Sequence, residues 1–267
     1  MIVVGELINA SRKAVAQAIR NRDVKAIQKI AMDQETAGAD YIDVNAGIFV
    51  DEEVEDLKWL VQTVQEVVAI PCCIDSPNPE AIEGALSVHK GNLPAMINSI
   101  SMESDRYDAL MPILANTDLK VVALCMSDDG MPETTAQRLD IARDLIEGLE
   151  KNGVARENIH VDPLVQPIST NHQFGVEFIN SVEAVLDAFP GVHTMCGLSN
   201  ISFGLPNRPY LNQTFAVMAI AKGLDGLIIN PLDKRMMANM IAAEALAGRD
   251  IYCGNYLKAF REERFNF

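Results

Sequence analysis

Eight short apolar runs recur along the chain, at residues 2–6, 41–45, 71–75, 94–98, 120–126, 158–162, 193–199 and 226–230, each rich in Val, Ile, Cys or Met. Continuous apolar strands of this kind are expected where both faces are buried, as in a parallel sheet. The stretches between them carry a helical period. Val54, Leu57, Leu60, Val61, Val64 and Val68 follow the three-four spacing of one helix face, as do Leu139, Ala142, Leu145, Ile146 and Leu149, and Phe178, Ile179, Val182, Val185, Leu186 and Phe189. Asn78-Pro79 reads as an N-cap with proline in the first turn. Gly153, Gly191, Gly223 and Gly248 follow periodic runs, where a left-handed residue closes a helix. Eight strand–helix units in 267 residues, with no Gly/Ser-rich linker, predict an α/β chain folded as a single (β/α)8 TIM barrel over residues 1–267. A doubly wound open sheet is the competing architecture. It commonly carries a glycine-rich turn after its first strand, whereas here that strand ends in Gly5-Glu6-Leu7-Ile8-Asn9, and neither GxGxxG nor GxxxxGK[ST] occurs.

Composition narrows the partners. Lys+Arg number 22 and Asp+Glu 37, a net charge of −15. A chain this acidic lacks the basic face that phosphate neutralisation demands, so nucleic acid and anionic membrane surfaces are not expected partners. No run of about 18 uncharged apolar residues is present to span a bilayer. The N-terminus lacks the basic start and apolar run of a signal peptide, so a cytoplasmic protein is expected. The five cysteines form no CxxC pair, and four lie in the apolar runs, which predicts small buried hydrophobes in a reducing compartment.

In a barrel of this class the chemistry sits at the C-terminal ends of the strands. Those ends carry Glu6, Asp43 with Asn45, Asp75, Asn98, Asp162, and Ser199 with Asn200. One Asp or Asn at a strand end is ordinary turn chemistry. So many converging on one rim predict a binding site. The rim alternates carboxylate acceptors with carboxamides that both donate and accept, and it has few cations. It suits a flat neutral heterocycle with amide-like edges rather than a polyphosphate. A divalent ion held by Asp and Asn is chemically possible. The four histidines, His89, His160, His172 and His193, form no HxH or HExxH pattern, so no protein-bound metal is predicted. His89 and His160 read as fillers. His172, in the loop after the sixth run, is the one that could approach the mouth.

Several segments resemble the pterin-binding TIM barrels: Gly5-Glu6-Leu7-Ile8-Asn9, Tyr41-Ile42-Asp43-Val44-Asn45, Cys73-Ile74-Asp75-Ser76, Ala95-Met96-Ile97-Asn98-Ser99, Val161-Asp162-Pro163-Leu164, and Gly197-Leu198-Ser199-Asn200 followed by Asn207-Arg208-Pro209. In this order they resemble the methyltetrahydrofolate–corrinoid methyltransferases, over essentially the whole chain. The resemblance implies methyl transfer between N5 of tetrahydrofolate and the cobalt of a corrinoid (cobalamin-type) cofactor. It implies tetrahydrofolate or 5-methyltetrahydrofolate as substrate, and a homodimer. The corrinoid is expected on a separate, transiently docked protein, because the chain ends after one barrel. It also implies that Asp75, Asn98 and Asp162 bind the pterin edge and that Asn200, near N5, is catalytic. By the same resemblance Glu6, Asp43, Ser199 and Arg208 are expected to line the pocket, with Arg208 equally readable as a brace for the loop after the seventh strand.

Dihydropteroate synthase shares the expected fold, but its phosphate-handling loops are not matched by Ile8-Asn9-Ala10-Ser11-Arg12 and Asn45-Ala46-Gly47-Ile48-Phe49. The folate module of cobalamin-dependent methionine synthase is also similar. Ser127, in Met126-Ser127-Asp128-Asp129-Gly130, replaces the Asn frequent in acetogenic members, which leaves the corrinoid partner and the favoured direction open. A dihydropteroate synthase-like condensing enzyme, a non-catalytic folate-binding protein, and a metal-dependent barrel enzyme using Glu6, Asp43 and Asp75 are the alternatives.

Overall fold

The structure is a computed structural model that describes residues 1–91 and 93–266. Its strands are β1 (Ile2–Asn9), β2 (Tyr41–Asn45), β3 (Cys72–Asp75), β4 (Met96–Met102), β5 (Lys120–Ser127), β6 (Ile159–Asp162), β7 (His193–Gly197) and β8 (Gly226–Ile229). They close in chain order into an all-parallel barrel, with β8 returning to β1 through Ile2 opposite Gly226. The barrel predicted from the apolar runs is therefore the one observed.

Around it lie α1 (Lys13–Arg20), α2 (Val24–Ala37), α3 (Glu53–Gln65), α4 (Pro79–Val88), α5 (Ser104–Leu114), α6 (Thr135–Lys151), α7 (Phe174–Ala188), α8 (Arg208–Ala221), α9 (Lys234–Leu246) and α10 (Gly254–Arg261). None of the described helices is long and apolar enough to cross a membrane. The helix stripes read from the sequence are the barrel-facing ones. Leu57, Leu60, Val61 and Val64 of α3, and Ala142, Leu145, Ile146 and Leu149 of α6, pack on the outward strand residues Ile42, Ile74, Ile97 and Val121. Phe178 and Val182 of α7 join Cys196 and Leu227 in a second outer cluster. Burying each such side chain stabilises the fold by about 1.5–3 kcal/mol relative to leaving it in water.

The helix ends follow the same local chemistry. Asn78 accepts from the Glu80 N–H at 3.0 Å, with Pro79 in the first turn. Gly153, Gly191, Gly223 and Gly248 have φ of 82°, 97°, 110° and 74°. Cys72, Cys73, Cys125 and Cys196 are buried and Cys253 is exposed.

Three local features differ from the sequence reading. Two helices, not one, follow β1. β1 runs on to Asn9 through a register shift between Gly5 and Ile8. There Leu7 N–H leaves the ladder and donates to Gln34 Oε1 of α2 at 3.0 Å. The approach requires Gly5, since a Cβ there would lie 2.5 Å from that same oxygen. Lastly, β4 continues past Asn98, and β7 stops at Gly197, so Ser199 and Asn200 fall in a 3₁₀ turn, Leu198–Ser202.

Candidate active site at the barrel mouth

Strand side chains alternate between the two faces of a sheet, so one step of two residues fixes the layers inside a barrel. Val4, Tyr41, Cys73, Met96, Val122 and Met195 form an apolar plug at mid-barrel. Two residues further along each strand stand Glu6, Asp43, Asp75, Asn98, Leu124 and Gly197, joined by Asp162 of β6 and Ile228 of β8. Together these line a cavity of about 510 Å³ at the C-terminal mouth. One wall, from β1 to β4 and at β6, is carboxylate and carboxamide. The other, at β5, β7 and β8, is Leu124, Gly197 and Ile228, with Val165 from the loop after β6.

Asp43 is buried at the bottom of the polar wall and takes hydrogen bonds from the Cys73 thiol and the Asn98 amide. Its Oδ1 has no protein partner among the described residues. Burial first, and then the neighbouring Asp75, push its carboxyl well above the usual range. That environment disfavours the ionised form of Asp43. Asp75 is also raised by burial, but the Asn45 hydrogen bond and the Arg106 charge oppose that. Asn45 donates to Asp75 Oδ2 at 2.9 Å while its own oxygen accepts from Gly47 N–H at 3.0 Å, which fixes the Asp75 carboxylate. Asp162 Oδ1 accepts from Leu164 N–H at 2.8 Å. Burial raises Asp162 to about 7, against the pull of backbone hydrogen bonds from Leu164 and Gly197 and of the Arg138 charge. Glu6 is raised by burial and drawn back by Arg12, whose Nη2 lies 3.0 Å from Oε1, and by Arg208.

Three arginines hold the rim loops by their backbone carbonyls. Arg106 of α5 donates to Ser76, Pro77 and Ser99 at 2.9, 2.8 and 2.7 Å. Arg138 of α6, fully buried, donates to Pro163 O at 2.7 Å. Arg208 donates to Ser199 O at 2.6 Å and Ser202 Oγ at 2.9 Å. Of the two roles open for Arg208, the brace on the loop after β7 is the one observed. Its charge still reaches Glu6, and it lines an adjoining cavity.

A family model described as "Pterin binding enzyme" matches residues 5–230. The chain belongs to the pterin-binding enzyme family. It is 37% identical to a methylcorrinoid:tetrahydrofolate methyltransferase of Eubacterium limosum over 98% of this chain and 97% of that one. It is also 30% identical to a methionine synthase of Mycobacterium tuberculosis over 86% of this chain, which corresponds to 20% of that protein. Among solved structures, dihydropteroate synthases of Coxiella burnetii in complex with pteroic acid and of Xanthomonas albilineans in complex with 7,8-dihydropteroate superpose with TM-scores of 0.72 and 0.70. Both are 18% identical, covering 92% of this chain and 93% of each of theirs, and show the shared fold.

Glu6, Asp43, Asp75, Asn98, Asp162, Ser199 and Asn200 all line the one mouth cavity. His172 does not, being exposed in the loop after β6. His160 and His193 lie at the opposite end of the barrel, stacked 4.9 Å apart. The sequence reading missed Leu124, Gly197 and Ile228, which look like core, together with Arg12, Asn9 and Ser11 from the end of β1. The period-two step from the apolar plug is the signal that finds Leu124 and Gly197, whereas Ile228 itself packs against that plug. Among the described residues no group of three or more His, Cys, Asp or Glu side chains is disposed to hold a metal ion.

Proposed function

We propose that this chain moves a methyl group between N5 of tetrahydrofolate and the cobalt of a corrinoid presented by a separate protein. The observation that carries the reading is the mouth cavity itself, lined by acceptors at β1 to β4 and β6 and by apolar groups at β5, β7 and β8, in a chain 37% identical over nearly its whole length to a methylcorrinoid:tetrahydrofolate methyltransferase. The 2-amino-4-oxo edge of a pterin offers adjacent N–H donors, which Asp75 and Asp162 accept in paired, charge-assisted hydrogen bonds. Asn98 satisfies the mixed donor and acceptor edge beside them. Leu124, Gly197 and Ile228 leave room for the ring faces. A Cβ on Gly197 would meet no atom within 4 Å, so that residue keeps the cavity open.

Asn200, exposed on the 3₁₀ turn at the cavity, is the residue we assign to N5 as the catalytic contact. Toward folate, the N5 lone pair forms the new bond to carbon, the cobalt–carbon pair stays with cobalt, and the N5 proton leaves to water at the open mouth. Positive charge grows on N5 along that path. A lining with Glu6, Asp43, Asp75 and Asp162 and a carboxamide at N5 stabilises it. In the opposite direction the same contacts hold N5 protonated, so that tetrahydrofolate leaves as a neutral amine. The reading includes a homodimer in the cytoplasm, the dimer being checked by light scattering.

The test is spectroscopic. Methylcobalamin and tetrahydrofolate, or cob(I)alamin and 5-methyltetrahydrofolate, are mixed with the protein and the cobalt absorbance is followed. Protein-dependent interconversion in step with folate methylation is expected. Folate binding with no transfer from free or protein-bound corrinoid contradicts catalysis, and product from pterin pyrophosphate and p-aminobenzoate supports the condensing enzyme instead.

A further inference from the structure

Asp162, the proposed acceptor for the pterin edge, is held by the backbone of the turn that follows β6. Its Oδ1 accepts from the Leu164 N–H at 2.8 Å, and the carbonyl of the same peptide unit, Pro163 O, accepts from Arg138 Nε at 2.7 Å. We propose that Arg138 of α6 is a positioning residue for the folate: by clamping the Pro163–Leu164 peptide it aims the Asp162 carboxylate at the pterin. The inference rests on the pterin reading of the mouth and adds to it a residue outside the cavity lining.

Geometry is the first argument. A trans peptide directs its C=O and N–H to opposite sides, so a donor fixed on the oxygen fixes the direction of the N–H. Arg138 therefore sets where the Leu164 N–H points without touching Asp162. Its Nη2 also reaches Leu164 O, at 3.5 Å, so one guanidinium spans two successive carbonyls. The turn needs such a clamp. Leu164 sits at φ 67°, in the left-handed region that a bulky side chain disfavours, and it lines the mouth cavity with Asp162 and Val165. Strained backbone of this kind persists where the surrounding structure over-determines it.

Charge is the second. Arg138 is fully buried, and its Nη1 has no partner among the described residues. It stands near the N-terminus of α6, the positive end of the helix dipole, where a cation is disfavoured. Glu177 of α7 attracts it, but that carboxylate is itself engaged by the Thr135 N–H and hydroxyl at 2.6 and 2.7 Å. A guanidinium in so unfavourable a place is not explained by packing. Its charge acts on Asp162. Around that carboxyl lie Arg138 and the thiols of Cys125 on β5 and Cys196 on β7. Burial pushes both thiols up, so they stay neutral, and Arg138 is the charge that favours the ionised Asp162.

Titration calorimetry of tetrahydrofolate across pH, on the whole protein, separates this role from a merely structural one. Wild-type affinity is expected to rise with pH through about 7, where Asp162 ionises, and to level off above. Arg138→Lys keeps the charge but lacks the planar fork, so the rise stays near the wild-type pH while the plateau drops about tenfold. Arg138→Met removes both, so the plateau drops and the rise moves to higher pH. A lower melting temperature in either variant, with plateau and rise both as in wild type, overturns the proposal. So does an unchanged plateau in Arg138→Lys, which decides alone if Arg138→Met does not fold. Failure of wild type to bind tetrahydrofolate overturns the pterin reading of the mouth and this inference together.

Discussion

Asp162→Asn isolates the cost of keeping a carboxylate at the barrel mouth. Burial raises Asp162 from 3.8 to about 7. At about 1.4 kcal/mol per pH unit, the ionised group destabilises the empty folded protein by about 4 kcal/mol relative to the unfolded chain. Between pH 4 and 7 the folded state holds a proton that the unfolded state has released, so this contribution to stability falls as pH rises through that window and is flat above it. An Asn in place of Asp162 keeps the Leu164 hydrogen bond at its oxygen and removes the titration. It turns an NH2 toward the Gly197 N–H, which forfeits one hydrogen bond at about 1–2 kcal/mol. The variant is therefore expected to match wild type at pH 5 and to exceed it by about 2–3 kcal/mol at pH 8. Urea unfolding followed by circular dichroism at pH 5, 6, 7 and 8 measures the difference. A difference that does not change with pH refutes a raised Asp162. The same variant loses tetrahydrofolate affinity, because a carboxamide cannot accept two parallel N–H groups.

Gly197→Val should unfold at the wild-type temperature, since the backbone is at φ −74° and the new side chain meets open space, yet calorimetry should find tetrahydrofolate binding abolished. Asn200→Ala should lower kcat by about 10²–10³ with a smaller change in folate affinity, the signature of a contact made chiefly in the transition state. With Asp162 near 7 in the empty site, binding at pH 7 should release about half a proton, read from the dependence of calorimetric enthalpy on buffer ionisation. Zero net release speaks against Asp162 as an acceptor for the ligand.

The polar wall was legible because it obeys two simple rules. Continuous apolar runs name the strands, and strand ends in such a barrel form the mouth, so Glu6, Asp43, Asp75, Asn98 and Asp162 follow directly. The opposite wall was hidden for the same reason. Leu124 is as apolar as the plug beneath it, and only its phase along the strand distinguishes it from a core residue, while Ile228 packs against the plug and lines the cavity as well. Arg208 was read with two roles because its partners, Ser199 and Ser202, are settled by how one turn folds back on a helix start. Arg106 and Arg138 looked like ordinary helix residues; their carbonyl partners lie 7 to 30 residues away in sequence. The bulge in β1 depends on Gln34 of α2 meeting Leu7, a contact that no local pattern encodes.

Crystals of the protein grown with tetrahydrofolate test the central claim most directly. The account predicts the 2-amino-4-oxo edge within hydrogen-bond distance of Asp75, Asn98 and Asp162, with N5 facing Asn200. A pteridine bound away from the barrel mouth, or a mouth left empty at saturating ligand, contradicts it.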